Sequence, residues 1–156
     1  MPTVLIVDDD PDHRELMSMA LHRFGHEVVE AEDGESAARA LAAGGIDAVL
    51  LDNRMPGESG IDFCQRLRAG AATTVPVMIV SADVSEHRVL AALQAGADDY
   101  LTKPFHRAEL GARLDNLLLR RGSAAALSAS AAHLALRAAR GALHRSPLTR
   151  AQQRIA

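Results

Sequence analysis

The sequence predicts an α/β domain built on a parallel sheet, and three observations carry that prediction. From residue 3 to about 121 an apolar run and an amphipathic stretch alternate five times, the pattern of strands joined by crossover helices. The runs beginning near residues 47 and 77 are almost wholly apolar, as strands covered by helices on both faces should be. Finally, four runs end in different polar groups: Asp8-Asp9 after VLIV, Asp52 after DAVLL, Ser81 after VMIV, and Lys103 after YLT. In an open parallel sheet the ligand crevice lies outside the carboxyl ends of the strands. Groups far apart in sequence can therefore meet there.

The strands are expected at Thr3 to Val7, Glu27 to Ala31, Asp47 to Leu51, Val77 to Val80 and Asp99 to Leu101. The helices between and after them are expected over 11–24, 34–43, 60–69, 85–95 and 107–120. Pro11 suits a first helical position. Gly25, Gly44, Gly70 and Gly96 stand near four of the five helix ends, where a glycine just past the last turn supplies a left-handed cap.

At 156 residues and 48% apolar composition the chain suffices for one well-buried core with an appendage. It contains no run of eighteen apolar residues, and its amino end turns acidic too soon for a signal peptide. A cytoplasmic protein without a membrane partner is expected. Cys64 is the single cysteine, which leaves no intramolecular disulfide or cysteine metal cluster and fits a reducing compartment. The net charge of −3 conceals a division. Residues 1–115 carry all 20 acidic residues and 10 basic ones, a net −10, whereas residues 116–156 carry seven arginines and no acid, a net +7. Such asymmetry fits an acidic, cation-binding domain followed by a part that meets nucleic acid or an acidic partner, or simply a solvated basic tail.

After Arg121 the composition becomes rich in Ala, Ser and Arg. The domain is accordingly drawn as 1–121, with 122–156 a linker or tail. Leu127, Ala131, Leu134 and Ala138 share a helical face, yet His133 to Arg137 and Ala142 to Arg145 could equally be short strands around Gly141. Periodicity does not separate the two.

A hard divalent cation prefers oxygen ligands and is commonly held by one or two carboxylates beside a phosphate. Asp8, Asp9 and Asp52 meet that demand, and three carboxylates a few ångströms apart would repel one another without a cation. Taken singly, an Asp at a strand end is more often a helix cap or turn residue; the coincidence with the other strand ends reverses that. Lys103 is the only lysine beside sixteen arginines, and a compact ammonium can bind a phosphoryl oxygen as a point charge. Pro104 restricts Lys103 to extended backbone, and its peptide bond can be cis, which would help aim the side chain. Ser81 offers a hydroxyl, and Ala82 leaves room to approach its backbone N–H. Together these groups describe carboxylate phosphorylation, in which an aspartate attacks phosphorus while a cation and a lysine absorb the oxygen charge. Asp52, alone at the end of the most buried strand, is the expected nucleophile, and the adjacent Asp8 and Asp9 suit a cation clamp.

The segments LIVDDD (5–10), LLDNRMPGESG (50–60), VSA (80–82) and YLTKPF (100–105) make residues 3–121 resemble the receiver domain of two-component response regulators. Each motif is weak alone, but the four together are very specific. The resemblance implies a flavodoxin-like (βα)5 doubly wound sheet of order 2-1-3-4-5, the order of the chemotaxis receiver. It implies a phosphoacceptor regulator, not an enzyme proper, that assists its own phosphorylation and dephosphorylation. Asp52 would take phosphate from a histidine kinase or phosphotransfer protein. Asp9, Asp52 and the Arg54 backbone carbonyl would ligate Mg2+ or Mn2+, with Asp8 acting mainly through water. Ser81, the Ala82 N–H and Lys103 would bind the phosphoryl oxygens. Ser81 and Tyr100, the only tyrosine, would be the switch pair, the hydroxyl shifting and the ring rotating inward to bias an output face near 85–105.

Arg54 is placed either to shield the phosphoryl group or to pair with Asp83 or Glu58. The histidines, His13 and His26 among them, are expected to be solvated. SPLTRAQQRIA resembles the opening helix of several output domains, so the chain reads either as part of a longer regulator, often a transcriptional one, or as a standalone shuttle or adaptor. DNA would be a partner only if an output domain follows, and a homodimer through the output face or tail is a further expected association. An aspartyl-phosphate hydrolase would need a general acid near Asp52, for which Asp10 and Arg54 are poor candidates.

Overall fold

A computed structural model describes residues 1–70 and 74–124, with side chains to Arg120. The chain divides into two units, Met1–Arg121 and Gly122–Ala156, and the fold and site described below belong to the first. The alternatives raised for the tail lie outside the described residues.

Five strands alternate with five helices: β1 Thr3–Val7, α1 Pro11–Arg23, β2 Glu27–Ala31, α2 Gly34–Ala42, β3 Ala48–Asp52, α3 Gly60–Ala69, β4 Val77–Ser81, α4 Glu86–Gln94, β5 Asp99–Thr102 and α5 Arg107–Ala124. The sheet is parallel throughout, in the order β2-β1-β3-β4-β5. The expected order and doubly wound architecture are therefore present. Side chains alternate across a strand, and that alternation sorts the core into two layers. Leu5, Val7, Val49, Leu51, Val77 and Ile79 pack with Ala37, Phe63, Cys64 and Ala92 of α2, α3 and α4. Val4, Ile6, Leu50, Met78, Val80 and Leu101 pack with Met17 and Leu21 of α1 and Leu110, Leu114 and Leu117 of α5. Each fully buried Leu or Ile stabilises the fold by about 1.5–3 kcal/mol.

The register aligns the strand ends. Val7 pairs with Leu51, so Asp8 and Asp52, each the next residue, leave the sheet level with one another. Asp52 pairs with Val80, which puts Ser81 one step further. Ser81 pairs with Thr102, and the Lys103 N–H donates to the Ser81 carbonyl at 2.8 Å. Asp52 and Ser81 thus lie inside their strands, one residue beyond the expected ends, because the ladder with the next strand continues to them.

Four of the helix starts are capped by side chains: Asp10 accepts from the Asp12 N–H, Asp33 from the Ser36 N–H, Ser59 from the Asp62 N–H and Ser85 from the Arg88 N–H, each worth about 1 kcal/mol. Of the three consecutive aspartates, the third is the cap and the first two remain for the site. Gly25, Gly44 and Gly96 adopt positive φ at the helix ends. Gly70 does not. It leaves α3 in an extended conformation, its N–H donating to the Arg66 carbonyl to close the last turn. His26, expected to be solvated, is only 6% exposed. Its backbone N–H returns to the Leu21 carbonyl, and its ring lies 3.9 Å from Asp115 of α5.

Candidate functional site

Asp8 and Asp52 are buried and Asp9 is exposed, and one carboxylate oxygen from each lies within 4.8 Å of the others. Lys103 reaches into the same place. Its ammonium stands 3.7 Å from Asp52 Oδ1 and 4.0 Å from Asp8 Oδ2, behind a cis peptide bond to Pro104. The sheet register and this one side chain bring together Asp8, Asp9, Asp52 and Lys103.

Local bonds fix the cluster from several sides. The Asp10 N–H donates to Asp8 Oδ1 at 2.9 Å, and the Arg54 N–H to Asp52 Oδ1 at 3.3 Å. The main chain at Arg54 therefore passes beside the Asp52 carboxylate. Below it, the Asn53 side chain accepts from the Ile61 N–H at 3.1 Å, and the Asn53 carbonyl from the Gly60 N–H at 2.9 Å. Gly60 is there because nothing larger fits: a Cβ on it would stand 2.6 Å from the Asp52 carbonyl oxygen and 2.9 Å from Asn53 Cα.

Ser81 Oγ accepts from the Asp83 N–H at 3.1 Å, and Ala82 beside it is exposed. Tyr100 is 7% exposed, with its hydroxyl donating to the Asp83 carbonyl at 2.7 Å. The ring is thus held inward, and both members of the expected switch pair bind the same residue at the start of the loop into α4.

Electrostatics follow from crowding. Burial pushes the Asp52 carboxyl above the usual carboxylate range; Lys103 pulls it down, and Asp8 pushes it up again. Three carboxylates against one ammonium suit a divalent cation, and an all-oxygen donor set suits a hard one such as magnesium or manganese.

Arg54 pairs with neither of its expected partners. Asp83 faces Arg88 at 3.6 Å and Glu58 faces Arg66 at 2.8 Å, while Arg54 is exposed. His13 is also not simply solvated, its two ring nitrogens lying 3.7 Å from Asp8 Oδ2 and 3.6 Å from Asp10 Oδ2. The first turn of α1 carries it back over the acidic segment, a placement that its spacing of five residues from Asp8 could have suggested. Asn53 and Arg14, which contact the site through backbone groups, had no such signal.

Residues 4–115 match the family model of the response regulator receiver domain. The chain belongs to that family. It is 40% identical over 121 residues to the phosphate regulon transcriptional regulatory protein PhoB of Pseudomonas aeruginosa, covering 77% of this chain and 53% of that one. To the transcriptional regulatory protein PrrA of Mycobacterium tuberculosis it is 46% identical over 127 residues, covering 81% and 54%. The receiver domain of a sensor histidine kinase from Pseudomonas aeruginosa, solved with a magnesium ion coordinated in its active-site cleft, superposes with a TM-score of 0.69 at 32% identity, over 75% of this chain and 97% of that one. The receiver chain spans about half the length of the curated relatives it matches. No helix among the described residues is long and apolar enough to cross a membrane.

Proposed function

We propose that this receiver accepts a phosphoryl group on Asp52 from a phosphohistidine of a histidine kinase or phosphotransfer protein. The observation that carries the reading is the meeting of three carboxylates with the single lysine, 3.7 Å from Asp52. One Asp52 carboxylate oxygen attacks phosphorus, the phosphorus–nitrogen bond breaks, and the electron pair leaves with the donor imidazole. Asp52 becomes an acyl phosphate, and its negative charge grows by about one unit or more.

Asp8, Asp9, Asp52 and the Arg54 carbonyl would hold the cation, Mg2+ or Mn2+, which supplies charge neutralisation for the phosphoryl oxygens. The residues of the chain do the remainder. Lys103, one residue past the end of β5, binds a phosphoryl oxygen as a point charge that already stands beside Asp52. The Ala82 N–H and the Ser81 hydroxyl bind the others. Moving Ser81 toward the phosphoryl group costs its Oγ the bond from Asp83, the residue whose carbonyl holds Tyr100. The loop into α4, and with it the face near 85–105, thereby acquires two arrangements of different stability. The transcriptional names of relatives about twice this length support control of a C-terminal output domain, with DNA as that domain's partner.

Incubation with radiolabelled acetyl phosphate and Mg2+ tests the reading. Wild type should gain a hydroxylamine-labile label that EDTA prevents, and Asp52→Asn should gain none. Full labelling of Asp52→Asn would remove Asp52 as the acceptor.

A further inference from the structure

The carboxylates of Asp8 and Asp9 can clamp a cation only if the short segment between β1 and α1 keeps one conformation. Two bonds to that segment are local or part of the sheet: the Asp8 N–H donates to the Ala31 carbonyl at 3.0 Å, and the Asp10 N–H to Asp8 Oδ1 at 2.9 Å. The third comes from a side chain one turn into α1. Arg14 Nη1 donates to the Asp8 carbonyl at 2.7 Å, while Arg14 Nε donates to Glu30 Oε1 of β2 at 3.1 Å. The Asp8 carbonyl belongs to the peptide plane joining Asp8 to Asp9. A short charge-assisted bond to it fixes the direction from which both side chains start.

The guanidinium is not needed to begin the helix. Asp10 already caps α1 through the Asp12 N–H, and the Arg14 N–H closes the first turn on the Asp10 carbonyl at 3.0 Å. Glu30 is an edge-strand residue, in register with Ile6 two positions before Asp8, so Arg14 bridges the end of β1 to its neighbouring strand. The Arg14 side chain is 18% exposed and that of Glu30 45%. A planar fork serves a carbonyl and a carboxylate from two separate nitrogens in a fixed geometry, whereas a lysine would have to serve both from one ammonium on a flexible stem.

We propose that Arg14, anchored by Glu30, is a positioning residue for the cation clamp: it touches neither cation nor phosphoryl group and sets the affinity for the divalent ion through the Asp8–Asp9 peptide. The proposal rests on the reading of Asp8, Asp9 and Asp52 as a cation site. Residues that orient metal ligands through hydrogen bonds typically change affinity by tenfold or more when removed.

Mn2+ titration followed by electron paramagnetic resonance, on the full chain, tests it with Arg14→Met, Arg14→Lys, Glu30→Gln, the double variant Arg14→Met/Glu30→Gln, and Asp9→Asn as control. Arg14→Met should weaken Mn2+ binding about tenfold with stoichiometry unchanged, and Arg14→Lys and Glu30→Gln each about threefold. The double variant should match Arg14→Met alone, because Glu30 acts through Arg14. Acetyl phosphate labelling should require correspondingly more Mg2+ yet reach the wild-type rate at saturation. A purely structural role would lower the melting temperature and the binding-competent fraction while leaving the dissociation constant in place. Affinity within twofold of wild type in Arg14→Met overturns the proposal; should that variant not fold, wild-type affinity in both Arg14→Lys and Glu30→Gln overturns it equally. Equal Mn2+ binding by wild type and Asp9→Asn would instead overturn the reading of the cation site.

Discussion

Neutralising Asp52 should stabilise the metal-free protein, although it removes the residue on which the proposed function depends. The structure sets the size of the effect. Asp52 faces Asp8 and Asp9 with carboxylate oxygens no more than 4.8 Å apart and faces Lys103 at 3.7 Å. At an effective dielectric constant of about 20, each repulsion is about 3.5 kcal/mol and the attraction about 4.5 kcal/mol. The attraction outweighs the repulsion from Asp8 alone, and Asp9, being exposed, adds little; burial of the carboxylate, the leading cause of its raised pKa, makes removing the charge favourable by about 2 kcal/mol. Lys103 keeps Asp8 at 4.0 Å as a partner. For a folded unit of 121 residues, Asp52→Asn should melt about 8 °C higher than wild type in EDTA at pH 7.

The pH dependence follows from the direction of the Asp52 shift. Its folded-state pKa lies above the unfolded value, with burial the leading cause. Ionising it therefore weakens the fold as pH rises from the unfolded value of about 3.9 through the higher folded one. The advantage of Asp52→Asn should be small near pH 3.5 and grow as pH rises toward neutral. Magnesium should close the gap, because a cation bound at a hundred times its dissociation constant stabilises wild type by about 2.7 kcal/mol and a site lacking one ligand by less. Equal or lower stability of Asp52→Asn in EDTA at pH 7, measured by urea unfolding, would refute the charge argument; so would an advantage that does not change with pH.

Gly60→Ala should destabilise by about 1–3 kcal/mol and slow acetyl phosphate labelling, since its new Cβ would meet the Asp52 carbonyl at 2.6 Å and must push β3 and α3 apart; wild-type urea unfolding would contradict the close approach. Arg68 donates to the Gly96 carbonyl, the Val75 carbonyl and Asp98 Oδ2 at 3.0, 2.7 and 2.9 Å, so Arg68→Met should cost about 2 kcal/mol, less than a fully buried pair because the partners are 22% and 34% exposed. Burial raises the Asp98 pKa, so this deficit should narrow as pH falls and the carboxyl becomes neutral; a deficit that widens toward acid would be inconsistent with it. Tyr100→Phe removes the 2.7 Å bond to the Asp83 carbonyl and should cost about 1 kcal/mol, with faster amide hydrogen exchange over residues 83–88 and unchanged exchange in β1 and β3.

The sheet and the acidic cluster were legible in the sequence for the same reason. A parallel strand buried on both faces reads as a continuous apolar run, and its carboxyl end must face the crevice, so the residue that breaks the run is already placed. Asp8, Asp52, Ser81 and Lys103 are legible in this way. The illegible part lies where placement depends on the path of a helix rather than the end of a strand. His13 and Arg14 reach the cluster only because α1 returns across the strand ends, and the partner of Arg14, Glu30, lies 16 residues on in another strand. His26 is buried near Asp115, 89 positions away and invisible to any local pattern. Arg54 had plausible acidic neighbours in sequence, but Arg66 and Arg88 had already taken them. Gly70 resembles the other helix-end glycines in position, yet the chain there has no left-handed turn to make.

A site assembled from strand ends carries its own means of transmission. Asp8 and Asp52 lie over the centre of the sheet, where β1, β3 and β4 are buried on both faces and adjust least. Ser81 and Lys103 lie toward β5, joined by the Lys103 N–H to the Ser81 carbonyl, and beyond Ser81 the loop to α4 and the first turn of that helix are exposed from Ala82 through Arg88. New negative charge on Asp52 would therefore meet strands buried on both faces on one side and, on the other, a lysine and a hydroxyl beside an exposed loop. Displacement follows the softer side. On the proposed reading, this asymmetry would direct a signal written at Asp52 toward α4 and β5, and it arises from the strand order itself, which sets the carboxylates over the middle of the sheet and the lysine at its edge.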